Sequence, residues 1–130
     1  MNLTVKEAIK IIEDRFERTC APSKYVDGFR TTKGLELAVE LNRMGIYIWT
    51  EPMEGHSSTL KCSPKKVYAR SEPRNSNLNL KRSPRLTEDS RAWYWFFETT
   101  AELKELLNVY ATLRPGELSK RPPQLMRNGS

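Results

Sequence analysis

The stretch Arg91–Glu98, RAWYWFFE, sets five aromatic residues in succession. It constrains the fold more than any other part of the chain. A strand alternates its side chains between two faces, so this run is apolar on both and needs cover on both. It reads as a strand with core on one face and partial cover on the other. Trp93 and Trp95 share a face, and Trp49 has the same core role. Directly after the run, Thr99 and Glu102 stand at capping-box spacing, in which hydroxyl and carboxylate satisfy free amides reciprocally. A helix with the stripe Leu103, Leu106, Leu107 and Tyr110 is expected from there, stopped by Pro115-Gly116.

The same signature opens the chain. Thr4 and Glu7 cap a helix whose Val5, Ala8, Ile9, Ile12 and Phe16 fall on one side. Pro22 and Gly28 mark an irregular connection. From Thr31 or Thr32 to Gly45, the apolar residues Leu35, Leu37, Ala38, Val39, Leu41 and Met44 cover most of a helical circumference, so a second, buried helix is expected, with Gly45 as left-handed cap. IYIWT (46–50) and KVYAR (66–70) read as two further strands. In the second, Lys66, Tyr68 and Arg70 face one way and Val67 and Ala69 the other. The expected fold is α+β, with a small, mainly antiparallel three-stranded sheet packed with three helices in the order ααβββα. Residues 1–113 would form one domain. Residues 114–130 would be a basic, Pro-containing flexible tail or linker.

Charge is divided unevenly along the 130 residues. Residues 1–60 hold eight basic and nine acidic side chains, a balance of −1. Residues 61–85 hold eight basic and one acidic, a balance of +7. Residues 86–113 come to −3 and residues 114–130 to +3, so the net +6 belongs to one central segment and the tail. A local cluster of this kind suits a polyanion, whereas scattered charge would serve solubility alone.

Within that segment, Pro73–Leu86 reads PRNSNLNLKRSPRL, with four basic residues and no acid. Lys61, Lys65, Lys66, Arg70, Arg74, Lys81, Arg82 and Arg85 can neutralise phosphates and release counterions. Tyr68, between two cations, can lie against a phosphate or an unpaired base. Asn75, Ser76, Asn77 and Asn79 carry short donor–acceptor groups, and Asn amides and Arg guanidinia bond bidentately to adenine and guanine edges. Asn and Ser also serve turn geometry, and Tyr68 also serves to cover a sheet edge, so each feature has a structural reading beside the functional one.

Catalytic chemistry has little support. His56 is the only histidine and lies in a Gly/Ser-rich connection. Cys20, Cys62 and His56 lack metal-ligand spacing. Gly34 and Gly45 are isolated, and no phosphate-cradling motif occurs. For a metal-dependent nuclease, Glu51, Glu54 and the Glu102-Leu103-Lys104 spacing are the available groups. The two cysteines are expected free and reduced. No apolar run approaches the roughly 20 residues of a membrane span. The N-terminus is charged throughout, which predicts a cytoplasmic protein with no membrane partner.

The leading expectation is a DNA-binding domain, with duplex favoured, acting without cofactor or metal. It would use the basic strand and Asn-rich loop, in the manner of a target-recognition module within a larger restriction or mobile-element protein. The alternative is a protein-binding module or small inhibitor whose basic face docks on an acidic partner. The third is the nuclease.

Overall fold

The computed structural model of the chain describes residues 3–19, 21–53, 55, 60–73, 78, 85–87 and 90–114. Its elements are α1 (Val5–Glu13), β1 (Glu17–Arg18), β2 (Val26–Arg30), β3 (Glu36–Glu40), β4 (Ile46–Thr50), β5 (Lys66–Tyr68), β6 (Ala92–Phe97) and α2 (Thr100–Tyr110). The six strands form one antiparallel sheet in the order β1-β2-β3-β4-β6-β5. Two helices lie on it. The expected three-stranded sheet with three helices is therefore corrected to six strands and, among the described residues, two helices.

Most of the difference lies in residues 26–45. Where a helix was expected from Thr31 to Gly45, the chain makes the end of one hairpin and the start of the next. Thr31 and Leu35 close the β2–β3 turn, with Thr31 N–H donating to the Leu35 carbonyl (2.8 Å) and Gly34 at φ 101°. Only glycine reaches that dihedral without steric cost. The apolar run 35–41 suits a helix buried all round and a strand covered on both faces equally well, and periodicity alone does not separate them. Its two faces differ in kind. Leu37 and Val39 point to the helix side, while Glu36, Ala38 and Glu40 point to the other. Gly45 is not a left-handed cap either, because its φ lies outside the positive region.

Both capping boxes form. Thr4 and Thr99 each accept from the backbone N–H three residues on, and Glu7 and Glu102 reach back to the cap. The helices pack together on one side of the sheet. There Ala8, Ile12, Phe16, Leu103, Leu106, Leu107 and Tyr110 meet Phe29, Leu37, Val39, Ile46, Ile48, Trp93, Trp95 and Phe97. Trp95 is fully buried and donates from Nε1 to Thr50 Oγ1 at 2.8 Å. The opposite face carries a second cluster of Val26, Ala38, Trp49, Leu86, Ala92 and Tyr94, flanked by Tyr47, Tyr68 and Leu78. No helix covers it. Leu78 and Leu86 are brought there by the long connection between β5 and β6. Among the described residues, no helix is long and apolar enough to cross a membrane.

Candidate nucleic-acid interface

The basic segment begins at the β5 edge of the sheet. β5 pairs with β6 in the register Lys66–Tyr94, Val67–Trp93 and Tyr68–Ala92, and Lys65 N–H extends the ladder to the Tyr94 carbonyl at 2.7 Å. Among the described residues the outer side of β5 pairs with no strand. Lys65, Lys66 and Arg70 are exposed along this border, and Lys61, also exposed, precedes it with its backbone N–H donating to Glu105 of α2 at 2.9 Å. The strand is shorter than the alternation of KVYAR suggests. It ends at Tyr68, and the chain turns at Ala69–Glu72 with Ser71 at φ 70°. Arg70 therefore sits on the turn, and only Lys66 and Tyr68 share a strand face. Lys66 Nζ lies 4.8 Å from the Tyr68 ring centre and 3.5 Å from Glu72, a half-exposed pair that water and salt weaken.

Tyr68 is half-buried, with its ring against Trp49 at 5.1 Å, so part of its surface belongs to the fold. Arg85 belongs to it more fully. Its guanidinium makes two 2.7 Å bonds to Glu51, and its backbone N–H donates to Glu36 Oε1 at 2.8 Å. Of the eight basic residues of segment 61–85, Arg85 is thus committed inward, whereas Lys61, Lys65, Lys66 and Arg70 are presented outward. Arg74, Asn75, Ser76, Asn77, Asn79, Lys81 and Arg82 lie outside the described residues, as do Cys20, Glu54 and His56.

Three carboxylates on this side of the sheet, Glu36, Glu40 and Glu51, are buried and bonded. Glu36 is buried, pinned by the Arg85 N–H and by Arg30 at 3.3 Å. Its neighbour Glu51 also accepts from the Glu36 backbone N–H at 2.8 Å. Burial first, and then the Glu51 charge, raise the Glu36 carboxyl above its ordinary range against the opposing pull of Arg85 and Arg30. Glu40 accepts from Trp49 Nε1 (3.1 Å), Tyr94 OH (2.7 Å) and Arg43 Nε (2.8 Å). Burial and that bond to Glu40 push the Tyr94 phenol well up, so it stays a donor. Tyr110 ties the two faces together. Its buried hydroxyl donates to the Glu36 carbonyl and accepts from Glu51 N–H at 2.9 Å.

This bonding bears on the nuclease groups. Glu51 is spent on Arg85, and Glu102 caps α2, held below the usual carboxylate range first by the Glu98 N–H and then by the Cys62 thiol. Cys62 is a free thiol that burial pushes up to about 11, so it is protonated and a poor nucleophile. Among the described residues no three His, Cys, Asp or Glu side chains converge as metal ligands.

Five rings run across the face opposite the helices in an order the sequence did not disclose. Phe96 meets Tyr47 at 5.0 Å, Tyr47 meets Tyr94 at 5.5 Å, Tyr94 meets Trp49 at 4.4 Å, and Trp49 meets Tyr68 at 5.1 Å. The middle of the row is buried. At its β3–β4 end Phe96 is 37% exposed, Tyr47 is half-buried, and the Arg43 guanidinium lies 5.0 Å over the Tyr47 ring. Tyr47 and Phe96 face each other across the β4–β6 register. The signal available was the pairing of two aromatic strands, but which residues stand opposite depends on a register that sequence alone leaves open. Comparison with protein-family models, curated proteins and solved structures finds no match to this chain.

Proposed function

We propose that this is a nucleic-acid-binding domain that takes duplex DNA along the β5 edge, with Lys61, Lys65, Lys66 and Arg70 as phosphate contacts. The carrying observation is the separation of charge. Among the described residues of this side of the sheet the buried carboxylates Glu36, Glu40 and Glu51 are bonded to Arg30, Arg43 and Arg85, while Lys65, Lys66 and Arg70 stand exposed at the border, with Glu72 paired to Lys66, and Lys61 stands exposed just before it. The positive field at the border is therefore not cancelled by its own face. The segment Arg74–Arg82, with three asparagines, continues the same border in sequence and supplies groups of the type that read base edges. Arg85 and the greater part of Tyr68 are left out of this contact set, since both are engaged in the fold.

The test is duplex binding followed across salt. If the four cations each meet a phosphate, log K falls against log salt with a slope of about −4, and Lys65→Ala or Arg70→Ala each reduces that slope by about one unit. No binding at ~50 mM salt, or a flat dependence, sinks the proposal and favours an acidic protein partner for the same border.

A further inference from the structure

We propose that the exposed ring pair Tyr47–Phe96 is a stacking site for an unpaired nucleobase of the bound nucleic acid. The inference rests on the nucleic-acid reading and specifies what that reading leaves open, namely that the preferred ligand carries a single-stranded or extruded nucleotide. Three observations converge on it. First, Phe96 is one of four large apolar side chains that remain exposed among the described residues, and unlike Met44 and Val67 it offers an aromatic face. Second, the two rings are 5.0 Å apart and tilted by 38°, with the Arg43 guanidinium, itself bonded to Glu40 at 2.8 Å, on the Tyr47 ring, so a planar hydrogen-bonding group adjoins the apolar surface. Third, the backbone beneath is kept bare. A Cβ on Gly45 would stand 2.6 Å from Phe96 Cε1 and 3.4 Å from Tyr47 Cε2, although no unusual dihedral requires glycine there.

The site and the basic border share one face. Lys66 stands opposite Tyr94 in the β5–β6 register and Phe96 is two residues further along β6, so their backbone positions are diagonal neighbours, roughly 7–8 Å apart, while the Lys66 ammonium reaches the other way along the edge, over Tyr68 to Glu72. A strand whose phosphates follow the β5 edge can therefore turn a base onto Phe96. Bases inside a duplex stack on one another and cannot present a face to a ring, so the ligand must be unpaired at that point. Base–aromatic stacking is tolerant of sequence, and flanking cations strengthen it.

The measurement is anisotropy with the full chain on a blunt duplex and on the same duplex extended by four thymidines. The extended DNA is expected to bind about tenfold tighter. Phe96→Leu keeps apolar volume but removes the π-face, and Gly45→Ala displaces the ring. Each should erase the gain while leaving blunt-duplex affinity within about twofold, with melting temperature confirming that both variants fold. A 2-aminopurine in the extension should be quenched on binding wild type and not Phe96→Leu. If blunt DNA binds and the extension adds nothing, or the gain survives in Phe96→Leu, the stacking site is overturned and the duplex reading stands. If neither DNA binds, both fall. If wild type instead dimerises through this patch and Phe96→Leu abolishes the dimer, the ring pair is an interface between copies and the inference is wrong.

Discussion

The two faces of the sheet are sealed by different physics. On the helix side, closure is hydrocarbon against hydrocarbon, with Trp95 and Phe97 stacked at 5.9 Å beneath two amphipathic helices. On the other side, two leucines of a long connection and a row of rings lie over three of the four buried carboxylates found among the described residues. The fourth, Asp27, faces the helix side near the sheet edge and is gripped by Arg18 at 2.8 Å. Hydrophobic burial is non-directional and tolerates exchange, whereas a buried carboxylate holds only while its partner does. The helix face should therefore carry the stability of the domain, and the uncovered face its conformational specificity and its charge pattern.

The largest effect should come from the helix side. Trp95→Ala removes a fully buried ring and leaves Thr50 Oγ1 without its indole donor, so a loss of about 3–5 kcal/mol by chemical denaturation is expected. A loss below ~1 kcal/mol would mean the faces do not differ as described. Arg85→Ala tests the other side. It strands Glu51 and removes the clamp on the end of the basic segment, at an expected cost of about 2–3 kcal/mol, reduced from a fully buried pair because the guanidinium is 44% exposed. Lys66→Ala, which breaks a half-exposed pair with Glu72 and a contact over the Tyr68 ring, should cost under ~0.5 kcal/mol. Equal losses for the two would erase the distinction between inward and outward cations.

The smallest effect is one of slope. Glu36 has its pKa raised in the fold, so the native state binds the proton more tightly than the unfolded chain. Its ionisation then makes stability fall as pH rises through the range just above the ordinary glutamate value near 4.5, and the penalty is relieved on acidification. Glu36→Gln, which still accepts from Arg85 N–H, should flatten that slope and stand more favourably against wild type at pH 7 than at pH 4. The opposite order would show that Arg30 and Arg85 outweigh desolvation.

What the sequence disclosed follows the same division. Both helices were legible because Thr4–Glu7 and Thr99–Glu102 cap locally and the stripes point one way. The aromatic strand 92–97 was legible because a run apolar on both faces needs core on one and at least partial cover on the other. The β2–β3 hairpin was not, although VDGFR and ELAVE flank a short Gly-containing turn. Glu36 and Glu40 alternate correctly for a strand, but they occupy buried positions where each carboxylate leans in part on a distant partner, the Arg85 N–H for Glu36 and the Tyr94 hydroxyl for Glu40. The candidate interface was legible as charge and not as geometry. Composition places eight cations in one segment, yet only the fold distinguishes Arg85, bound to Glu51, from Lys65 at the border. The Tyr47–Phe96 pair depends on a strand register between distant segments, which no local pattern encodes.

The strand order has a consequence in time. β4 pairs with β3 across the five residues 41–45, but with β6 across the 41 residues 51–91. Closing the longer loop costs about 2 kcal/mol more chain entropy than closing the hairpin, before any contact rewards it. The β2–β3–β4 meander can thus form early and alone, with one side of β4 unpaired and Ile46, Ile48 and Trp49 still in water. Docking of β6 is the non-local event, the kind of pairing that slows folding. Until it occurs the unpaired side of β4 is the sticky edge of the folding chain. The Arg85–Glu51 clamp, which reaches the end of β4 just seven residues before Ala92, shortens that search by holding the incoming strand near its place.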